Sequence, residues 1–370
     1  MSVRKNKKVI FFLINSLESG GAERVLSNIL PKLTQKYNIY LILLKNKIFY
    51  NVPSNIKVIP LTNVQNNILL PFLLPFYIFK LKKLIKQYQP AKVISFLEIA
   101  NFVNIFSQQK AIVSFRTSLE FFQGSLIKIV YRFLINKLYP RAKLIIVNSR
   151  ENKIDLLRRL KLRPTQITTI YNPVQIKTTP EPVTVKLPFQ RQKFKKIFIS
   201  VGRLDKQKNF STLIQAFKIM PTQYALLIIG DGAEKERLQR LIRELNLSER
   251  TFLLGRQKNV FAYLNLADYF IFSSRAEGFP NVLIEAMACR LPIITSDFRT
   301  GAREIIDPRL DFEQKISYPY YGSNGVLLSL ANFKNGLAKV DLNKVKQEQQ
   351  GLEKFQLTKI IKQWEKIINL

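Results

Sequence analysis

The segment 269–297, "YFIFSSRAEGFPNVLIEAMACRLPIITSD", decides the fold of this chain. It opens on an apolar run that ends at Ser274, and Gly278 and Pro280 then shape a loop. The pattern predicts a helix over Asn281–Cys289, followed by a second apolar run, "LPIITS". A strand, a helix and a second strand in this order form a βαβ unit, so the segment predicts a parallel sheet.

The same alternation extends over almost the whole chain. Buried strands are predicted at "KVIFFLIN", "IYLILL", "AKVISF", "AIVSF" and "KLIIVNS", with helical patterns over 22–36, 68–88 and 120–138. A second series starts after residue 195 with "KKIFISVG", "YALLIIG" and "TFLLG". We therefore predict an α/β protein with two doubly wound, Rossmann-like domains that face each other across a cleft lined by strand-end loops.

Composition shifts along the chain predict the domain boundaries. Residues 1–175 are predicted to form an N-terminal domain, and residues 195–352 a C-terminal domain. The intervening segment, 176–194, is rich in Pro and Thr and lacks periodicity, which predicts a linker. The last residues, 353–370, have the apolar spacing of a helix.

The charge balance predicts an anionic partner. The 370 residues include 59 Lys and Arg against 25 Asp and Glu, a formal net charge of +34. Nucleic acid, an anionic membrane surface or a phosphorylated ligand would each fit such an excess. The chain has no histidine and one cysteine, so we predict no disulfide, no metal site and no imidazole base. Acid–base chemistry must then use carboxylates, Lys, Tyr or the substrate itself.

Two segments of the first half predict contact with a membrane surface. Residues 79–89 and 125–143 read as basic amphipathic helices, and Lys128, Arg132 and Asn136 recur every four residues in the second. The alternative is an ordinary surface helix with solvated lysines. No segment reaches the roughly 18–20 apolar residues that span a bilayer, so we expect a cytoplasmic protein peripheral to the inner face of the cell membrane.

Cations at the end of a strand predict an anion site. In "SVGRLDKQKNFSTLIQAF", residues 200–217, a strand ends at Gly202, and Arg203 and Lys208 then bracket a loop before a helix. An arginine fork and a lysine point charge suit a diphosphate, although a solvated basic loop is the alternative. The pairs Gly20–Gly21 and Gly255–Arg256 are weaker candidates for a binding site. The first could admit an anion and the second the edge of a base, or both could be simple turns.

Two glutamates flank the start of the helix in the opening segment. Glu277 lies in the preceding loop, and Glu285 lies about one turn into the helix. The backbone N–H groups of Phe279–Leu283 could hold a diphosphate, while the carboxylates accept hydroxyls of a ribose or hexose. The spacing alone also allows Glu285 to be a paired structural residue.

The quoted motifs resemble a known family. "EGFPNVLIEAMACRLPIITSD" resembles the E-x7-E region of retaining glycosyltransferases of family four, which have the GT-B fold. The motifs "SGGAERV", "YNPV", "IIGDGAEKERLQRLIRELNL" and "FLLGRQKNV" occur in that family's order. "SDFRTGAREII", 296–306, resembles the subgroup that moves hexoses or N-acetylhexosamines onto lipid-linked bacterial glycans.

The resemblance implies a role for each matching residue. Arg203 and Lys208 would bind the donor diphosphate, and Glu277 would contact the transferred sugar; these three residues would be catalytic. Glu285 would hold the ribose. Arg24 and Arg116 would face the acceptor, and the helix at 353–370 would pack back on the N-terminal domain. The implied donor-binding set is Gly20, Gly21, Gly202, Arg203, Lys208, Gly255, Arg256, Glu277, Gly278, Phe279, Pro280, Asn281, Val282, Leu283 and Glu285.

The chain departs from the family pattern at two places. Many members carry a histidine in the first domain, and "SFRTSLE", 114–120, with Arg116 stands in that neighbourhood. Arg290 follows the helix at a position where glycine is usual, so the helix would end without a left-handed cap, or Arg290 would reach an anion.

The resemblance and the charges together predict a metal-independent, retaining transferase without a cofactor. It would move a sugar from a nucleotide, UDP by resemblance, to a membrane-associated acceptor linked to polyprenyl diphosphate or belonging to a surface polysaccharide. The departing phosphate oxygen would take the acceptor proton in a displacement on one face of the sugar. The alternatives are a nucleotide-sugar epimerase or phosphorylase of the same fold, and a nucleic-acid-binding protein. Against the last, the basic residues are spread over many helices without a recognised binding motif.

Overall fold

The computed structural model describes residues 7–18, 20–63, 73–122, 124–174 and 185–370. The chain divides into two compact units. The first unit contains Met1–Pro173 and Phe355–Leu370, and the second contains Val174–Lys354.

The described part of the first unit is a parallel sheet covered by helices. The strand order is β3-β2-β1-β4-β5-β6-β7. The strands are β1 (Val9–Ile14), β2 (Asn38–Leu43), β3 (Lys57–Pro60), β4 (Lys92–Phe96), β5 (Ile112–Phe115), β6 (Leu144–Val147) and β7 (Ile167–Thr169). The helices are α1 (Gly21–Leu33), α2 (Leu74–Tyr88), α3 (Glu98–Ser107), α4 (Leu126–Leu138), α5 (Arg150–Leu160) and the last helix of the chain, α12 (Leu357–Asn369).

The central strand β1 shows why the sequence folds this way. All residues of Ile10–Ile14 are fully buried, because helices cover both faces of the sheet. Phe12 faces the core that α1 and α12 share, and its ring lies 6.3 Å from that of Trp364. Phe11 and Leu13 face the opposite core, formed with α2 and α3.

The second unit repeats this architecture with one reversed edge. Its strand order is β10-β9-β8-β11-β12-β14-β13, and β13 is antiparallel to β14. The strands are β8 (Lys196–Val201), β9 (Tyr224–Ile229), β10 (Thr251–Leu253), β11 (Tyr269–Phe272), β12 (Ile293–Ser296), β13 (Tyr320–Gly322) and β14 (Gly325–Leu328). The helices are α6 (Phe210–Phe217), α7 (Lys235–Glu244), α8 (Val260–Leu264), α9 (Asn281–Ala288), α10 (Ala302–Ile306) and α11 (Phe333–Ala338).

The structure contains every predicted strand and adds β3, β7, β13 and β14, which have three or four residues each. The segments of β3 (KVIP), β7 (ITT) and β13 (YYG) mix apolar with polar or turn-forming residues, so they lack the continuous apolar run of a buried strand. The helix predicted over 120–138 begins at Leu126, after a 3₁₀ turn at Leu119–Phe121. The helix predicted over 68–88 begins at Leu74, and its residues 68–72 lie outside the described part of the chain.

The predicted linker differs from the structure in its second half. Residues 175–184 lie outside the described chain. Residues 185–194 belong to the second unit, where Phe194 is buried and Arg191 Nη2 lies 2.8 Å from Asp268 Oδ2. The Pro- and Thr-rich composition indicated irregular backbone, but irregular backbone can still pack on a core.

The end of α9 corrects one expectation. Arg290 has a φ of 59°, so the helix does end on a left-handed residue, with an arginine in place of glycine. Arg290 N donates to Met287 O at 3.0 Å, and Leu291 N donates to Ala286 O at 3.0 Å. These two bonds define a Schellman motif, and they satisfy carbonyls at the end of the helix.

None of the described helices combines the length and apolarity that a membrane crossing requires.

Candidate functional site

The loop after β8 places two cations at the carboxyl edge of the second sheet. Gly202 follows the strand directly, and Arg203 comes next with a side chain that is 70% exposed. Lys208 precedes Asn209, which has a left-handed φ of 55° and caps α6. The Lys208 side chain runs back over Gly202, where a Cβ would lie 3.4 Å from its methylene carbons.

Lys208 and Glu277 form one ion pair. Lys208 Nζ lies 2.5 Å from Glu277 Oε1, and their side chains are only 16% and 8% exposed. Ser274 Oγ donates to the same carboxylate oxygen at 2.6 Å, and the Phe272 ring lies beneath the ammonium at 5.2 Å. Both groups are therefore fixed in position, and the ammonium keeps capacity for further acceptors.

Asp205 contacts both Arg203 and Lys208, and it is not among the site residues predicted from the sequence. Its Oδ2 accepts from Arg203 Nε at 2.6 Å, while its Oδ1 accepts from Lys208 N at 3.0 Å. An aspartate that accepts a backbone bond three residues ahead forms an Asx-type turn. The sequence "LDKQK" indicates such a turn, because Asp205 stands three residues before Lys208.

Backbone contacts join this loop to the one after β11. Arg275 N donates to Gln207 O at 2.9 Å, and Gln207 Nε2 donates to Ala276 O at 2.7 Å. Ser273 Oγ donates to the carbonyl of Lys208 at 3.2 Å. The cations of one loop and Glu277 of the other consequently belong to a single rigid surface.

The start of α9 differs from the predicted row of amides. Pro280 has no N–H to offer, Asn281 N donates to Phe279 O at 3.1 Å, and Leu283 N donates to Pro280 O at 3.0 Å. These two donors close the turn that opens the helix, and the contact of the remaining amides with a diphosphate stays a prediction. Val282 lies between these two donors, and Gly278 precedes Phe279 in the same segment.

Glu285 lies just over one turn into α9, as predicted, and is 5% exposed. Cys289 lies one turn further along the chain, near this carboxylate. Burial raises the pKa of the Cys289 thiol to about 12, and the Glu285 carboxylate adds to the rise. The thiol is therefore protonated and inert at neutral pH.

A third loop, after β12, packs against the Glu277 segment, although none of the predicted site residues lies in it. Thr300 Oγ1 donates a hydrogen bond to the Glu277 carbonyl. Gly301 has a φ of 122°, and a Cβ there would lie 2.9 Å from the Phe279 ring and from Pro280 Cδ. Any larger residue would push the two loops apart, so the Thr300–Gly301 pair is the signal that could have identified this contact.

The remaining donor candidate of the second unit lies after β10. Gly255 has a left-handed φ of 67° and accepts from Gly230 N at 2.9 Å, while Arg256 is exposed. The structure places both at the same edge of the sheet as Gly202, because β10, β9 and β8 are neighbouring parallel strands.

The other candidates belong to the first unit. Gly20 caps α1, Gly21 is its first residue, and Arg24 N donates to Gly20 O at 3.0 Å.

Arg116 is buried among polar and aromatic side chains. Its Nε donates to Ser114 Oγ at 2.7 Å, its Nη1 donates to Asn172 Oδ1 at 2.8 Å, and its guanidinium lies 5.1 Å from the Phe96 ring and 5.8 Å from the Trp364 ring. Burial lowers the pKa of Arg116 to about 9. The guanidinium therefore packs within the core of the first unit, and its contact with an acceptor stays a prediction.

Comparisons with known proteins match both halves of the chain. Residues 19–178 match the family model described as Glycosyltransferase Family 4, and residues 186–311 match that of Glycosyl transferases group 1. The N-acetylgalactosamine-N,N'-diacetylbacillosaminyl-diphospho-undecaprenol 4-alpha-N-acetylgalactosaminyltransferase of Campylobacter jejuni is 35% identical over 301 residues. This match covers 79% of the chain and 81% of the relative.

Solved structures show the same fold. The lipopolysaccharide outer core galactosyltransferase WaaB aligns with a TM-score of 0.70 and 24% identity, over 97% of this chain and 99% of that one. Anabaena Alr3699/HepE in complex with UDP and glucose aligns with a TM-score of 0.72 and 19% identity, over 98% and 99% of the two chains. The fold predicted from the sequence, with two Rossmann-like domains of the GT-B type, is confirmed.

Proposed function

This chain belongs to the group 1 and family 4 glycosyltransferases, and we propose that it transfers a hexose or N-acetylhexosamine from a UDP-sugar to a lipid-linked acceptor. The name of the Campylobacter jejuni relative specifies a diphospho-undecaprenol acceptor, which supports a polyprenyl diphosphate or surface-polysaccharide acceptor here. UDP and glucose in the HepE complex support the choice of donor.

The observation that carries the proposal is the contact of 2.5 Å between Lys208 Nζ and Glu277 Oε1. It fixes a cation at the carboxyl edge of the sheet, where doubly wound folds bind ligands. Arg203, anchored by Asp205 and 70% exposed, supplies a second positive group from the same loop. Negative charge develops on the leaving diphosphate in the transition state, and preorganised cations stabilise it without having to reorganise.

The two glutamates then have separate tasks. Glu277 is already paired with Lys208, so it can accept a sugar hydroxyl while the lysine meets the phosphate. Glu285 lies within α9, where its carboxylate could hold the two ribose hydroxyls in a bidentate manner. This division keeps sugar and nucleotide on the two sides of the diphosphate.

Retention would follow from a displacement on one face of the sugar. The bond between the anomeric carbon and the diphosphate oxygen breaks as the acceptor oxygen bonds to the same face of that carbon. The acceptor proton passes to the departing phosphate oxygen, which suits a chain without histidine. In this scheme Arg203 and Lys208 supply the charge that a metal would otherwise provide, so we expect transfer to continue with a chelator present.

A peripheral membrane contact would bring the enzyme to a lipid-linked acceptor. Exposed apolar side chains on α4 are Leu126, Ile127, Ile129, Val130 and Phe133, with exposures from 47% to 78%. Lys128, Arg132 and Lys137 on the same helix are charged, and α2 adds the exposed Phe79. Apolar side chains interleaved with cations fit the interface of an anionic leaflet.

The test is a screen of UDP-sugars for UDP release with a membrane extract as acceptor. We expect release with one donor, dependent on the extract, and a loss of at least tenfold in Glu285→Ala. Glu244→Ala, at an exposed position of α7, should behave like the parent. Release from no UDP-sugar, or a Glu285→Ala variant as active as the parent, would contradict the proposal.

A further inference from the structure

The N-terminus of α1 contains a carboxylate from its own first turn. Glu23 is 9% exposed, and it folds back onto Gly20. A Cβ built on Gly20 would lie 2.8 Å from Glu23 Oε1 and nearer still to Oε2. Glycine at position 20 is therefore what allows the carboxylate to occupy this place.

The negative charge of the Glu23 carboxylate is poorly compensated by its surroundings. Burial raises the pKa of Glu23, and the charge of Glu18 raises it further, while the Glu23 backbone N–H and Lys45 lower it. Within the described residues, the side chain makes no hydrogen bond other than the one to its own N–H. Lys45, 1% exposed, is paired with Glu18 at 2.5 Å.

The surroundings would suit an anion with more charge. The first-turn amides of a helix have no partners within the helix and carry positive potential. Lys45 is fixed and desolvated nearby, since it lies at the end of β2, next to β1. A diphosphate offers more charge and more oxygens to these donors than a single carboxylate can.

We propose that Glu23 is an internal stand-in anion, which occupies the N-terminus of α1 until the diphosphate of a substrate displaces it. Displacement needs only rotation of the Glu23 side chain, because α1 already presents its amides. Glu23 would thus be a positioning residue that sets the affinity of the Gly20–Gly21 turn for diphosphate. This inference rests on the proposed function for the identity of the substrates, namely the UDP-sugar and the polyprenyl diphosphate acceptor, either of which could supply the group.

The experiment measures binding of inorganic pyrophosphate to the full chain by calorimetry, for the parent, Glu23→Gln and Glu23→Ala. Glu23→Gln keeps the shape of the side chain, and thermal unfolding checks that each variant is folded. We expect both variants to bind pyrophosphate about tenfold more tightly, because one opposing charge is removed at a desolvated site. Glu151→Gln, which removes another buried first-turn glutamate of the same unit, should leave the affinity unchanged.

Kinetics then identify the source of the diphosphate. The KM for the UDP-sugar should fall in both Glu23 variants if the donor binds the turn, and the KM for the acceptor should fall if the acceptor binds there. Unchanged or weaker pyrophosphate binding in both variants would overturn the inference, as would a rise in either KM, which indicates that Glu23 holds a substrate hydroxyl. A parent that binds pyrophosphate in this Glu23-dependent way but transfers no sugar would contradict only the proposed function.

Discussion

Lys208 Nζ lies 2.5 Å from Glu277 Oε1, although 68 residues separate the two in sequence. The contact joins the loop after β8 to the loop after β11, which are neighbouring strands of the sheet. The sequence assigned these residues to different substrate groups, whereas the structure makes each the partner of the other.

Replacement of Lys208 should damage catalysis and stability together. In Lys208→Met, we expect kcat to fall by about 100-fold, as is typical when one preorganised donor is removed. We also expect a loss of about 3 kcal/mol in the free energy of unfolding, because Glu277 is left buried without its cation. Rates of UDP release and urea unfolding measure the two effects. Lys206→Met, an exposed lysine of the same loop, should change neither.

Asp205 should matter for activity although it need not touch a substrate. In Asp205→Asn, the anchor of Arg203 Nε is weakened, and kcat/KM for the UDP-sugar should fall by about tenfold. Asp155 holds Arg159 Nε at the same 2.6 Å on α5, so Asp155→Asn is the matched control. Equal kcat/KM values for the two variants would mean that Asp205 has only a local structural role.

The exposed face of α4 should bind anionic membranes. In Phe133→Ser, a side chain that is 59% exposed loses its apolar surface, and partition onto phosphatidylglycerol vesicles should fall by about tenfold. Ile219→Ser, at a 47% exposed apolar position of the second unit, serves as the control. Sedimentation with vesicles measures the bound fraction. Binding by the parent that is insensitive to salt and to vesicle charge would contradict the assignment of this face.

Glu98, the first residue of α3, should make stability depend on pH. Burial raises the pKa of Glu98 from 4.5 to about 7, although its own backbone N–H opposes the rise. Between these two values the folded chain keeps a proton that the unfolded chain releases, so the free energy of unfolding falls as pH rises through this window. The contribution is present below pH 4.5 and is lost above pH 7, a difference of roughly 3 kcal/mol.

The variant Glu98→Gln cannot titrate at this position. Its free energy of unfolding should gain roughly 3 kcal/mol relative to the parent between pH 4.5 and pH 8. Denaturant unfolding at the two pH values measures the gain, and Glu244→Gln, an exposed glutamate, should show none. A difference between parent and Glu98→Gln that does not change with pH would indicate that Glu98 is ionised in the folded protein.

The left-handed arginine at the end of α9 offers a stabilising substitution. Arg290 has a φ of 59° and is exposed, so Arg290→Gly relieves steric strain and sacrifices no described contact. We expect a gain of about 1 kcal/mol in the free energy of unfolding. Arg240→Gly, in the middle of α7, should instead cost about 1 kcal/mol. A loss in Arg290→Gly would show that its side chain has a stabilising role.

Much of the fold could be predicted because buried parallel strands are continuous apolar runs. "KVIFFLIN" and "YFIFSS" are such runs, and both became central strands, β1 and β11. Strands such as β7 (ITT) and β13 (YYG) were missed because they contain polar or glycine residues and no continuous apolar run, unlike the equally short β10 within "TFLLG". Helix α3 was missed because its apolar residues continue directly from the preceding strand, β4.

The candidate site was predictable in composition but not in arrangement. Arg203 and Lys208 could be selected because cations that follow a strand reach the ligand-binding edge of the sheet. The burial of Arg116 could not be predicted, since it depends on Trp364 and Asn172, which are far away in sequence. The use of Asn281 and Leu283 amides within the turn likewise depends on the path of the backbone before α9.

The sequence by itself determined the architecture, the family and the edge of each sheet where ligands bind, because these follow from local periodicity and the order of short motifs. Tertiary structure alone decided which charges neutralise one another. Lys208 meets Glu277 and Arg191 meets Asp268, each from a distant part of the chain. Partners that are distant in sequence are fixed by distances of a few ångströms through space, and spacing along the chain carries no record of them.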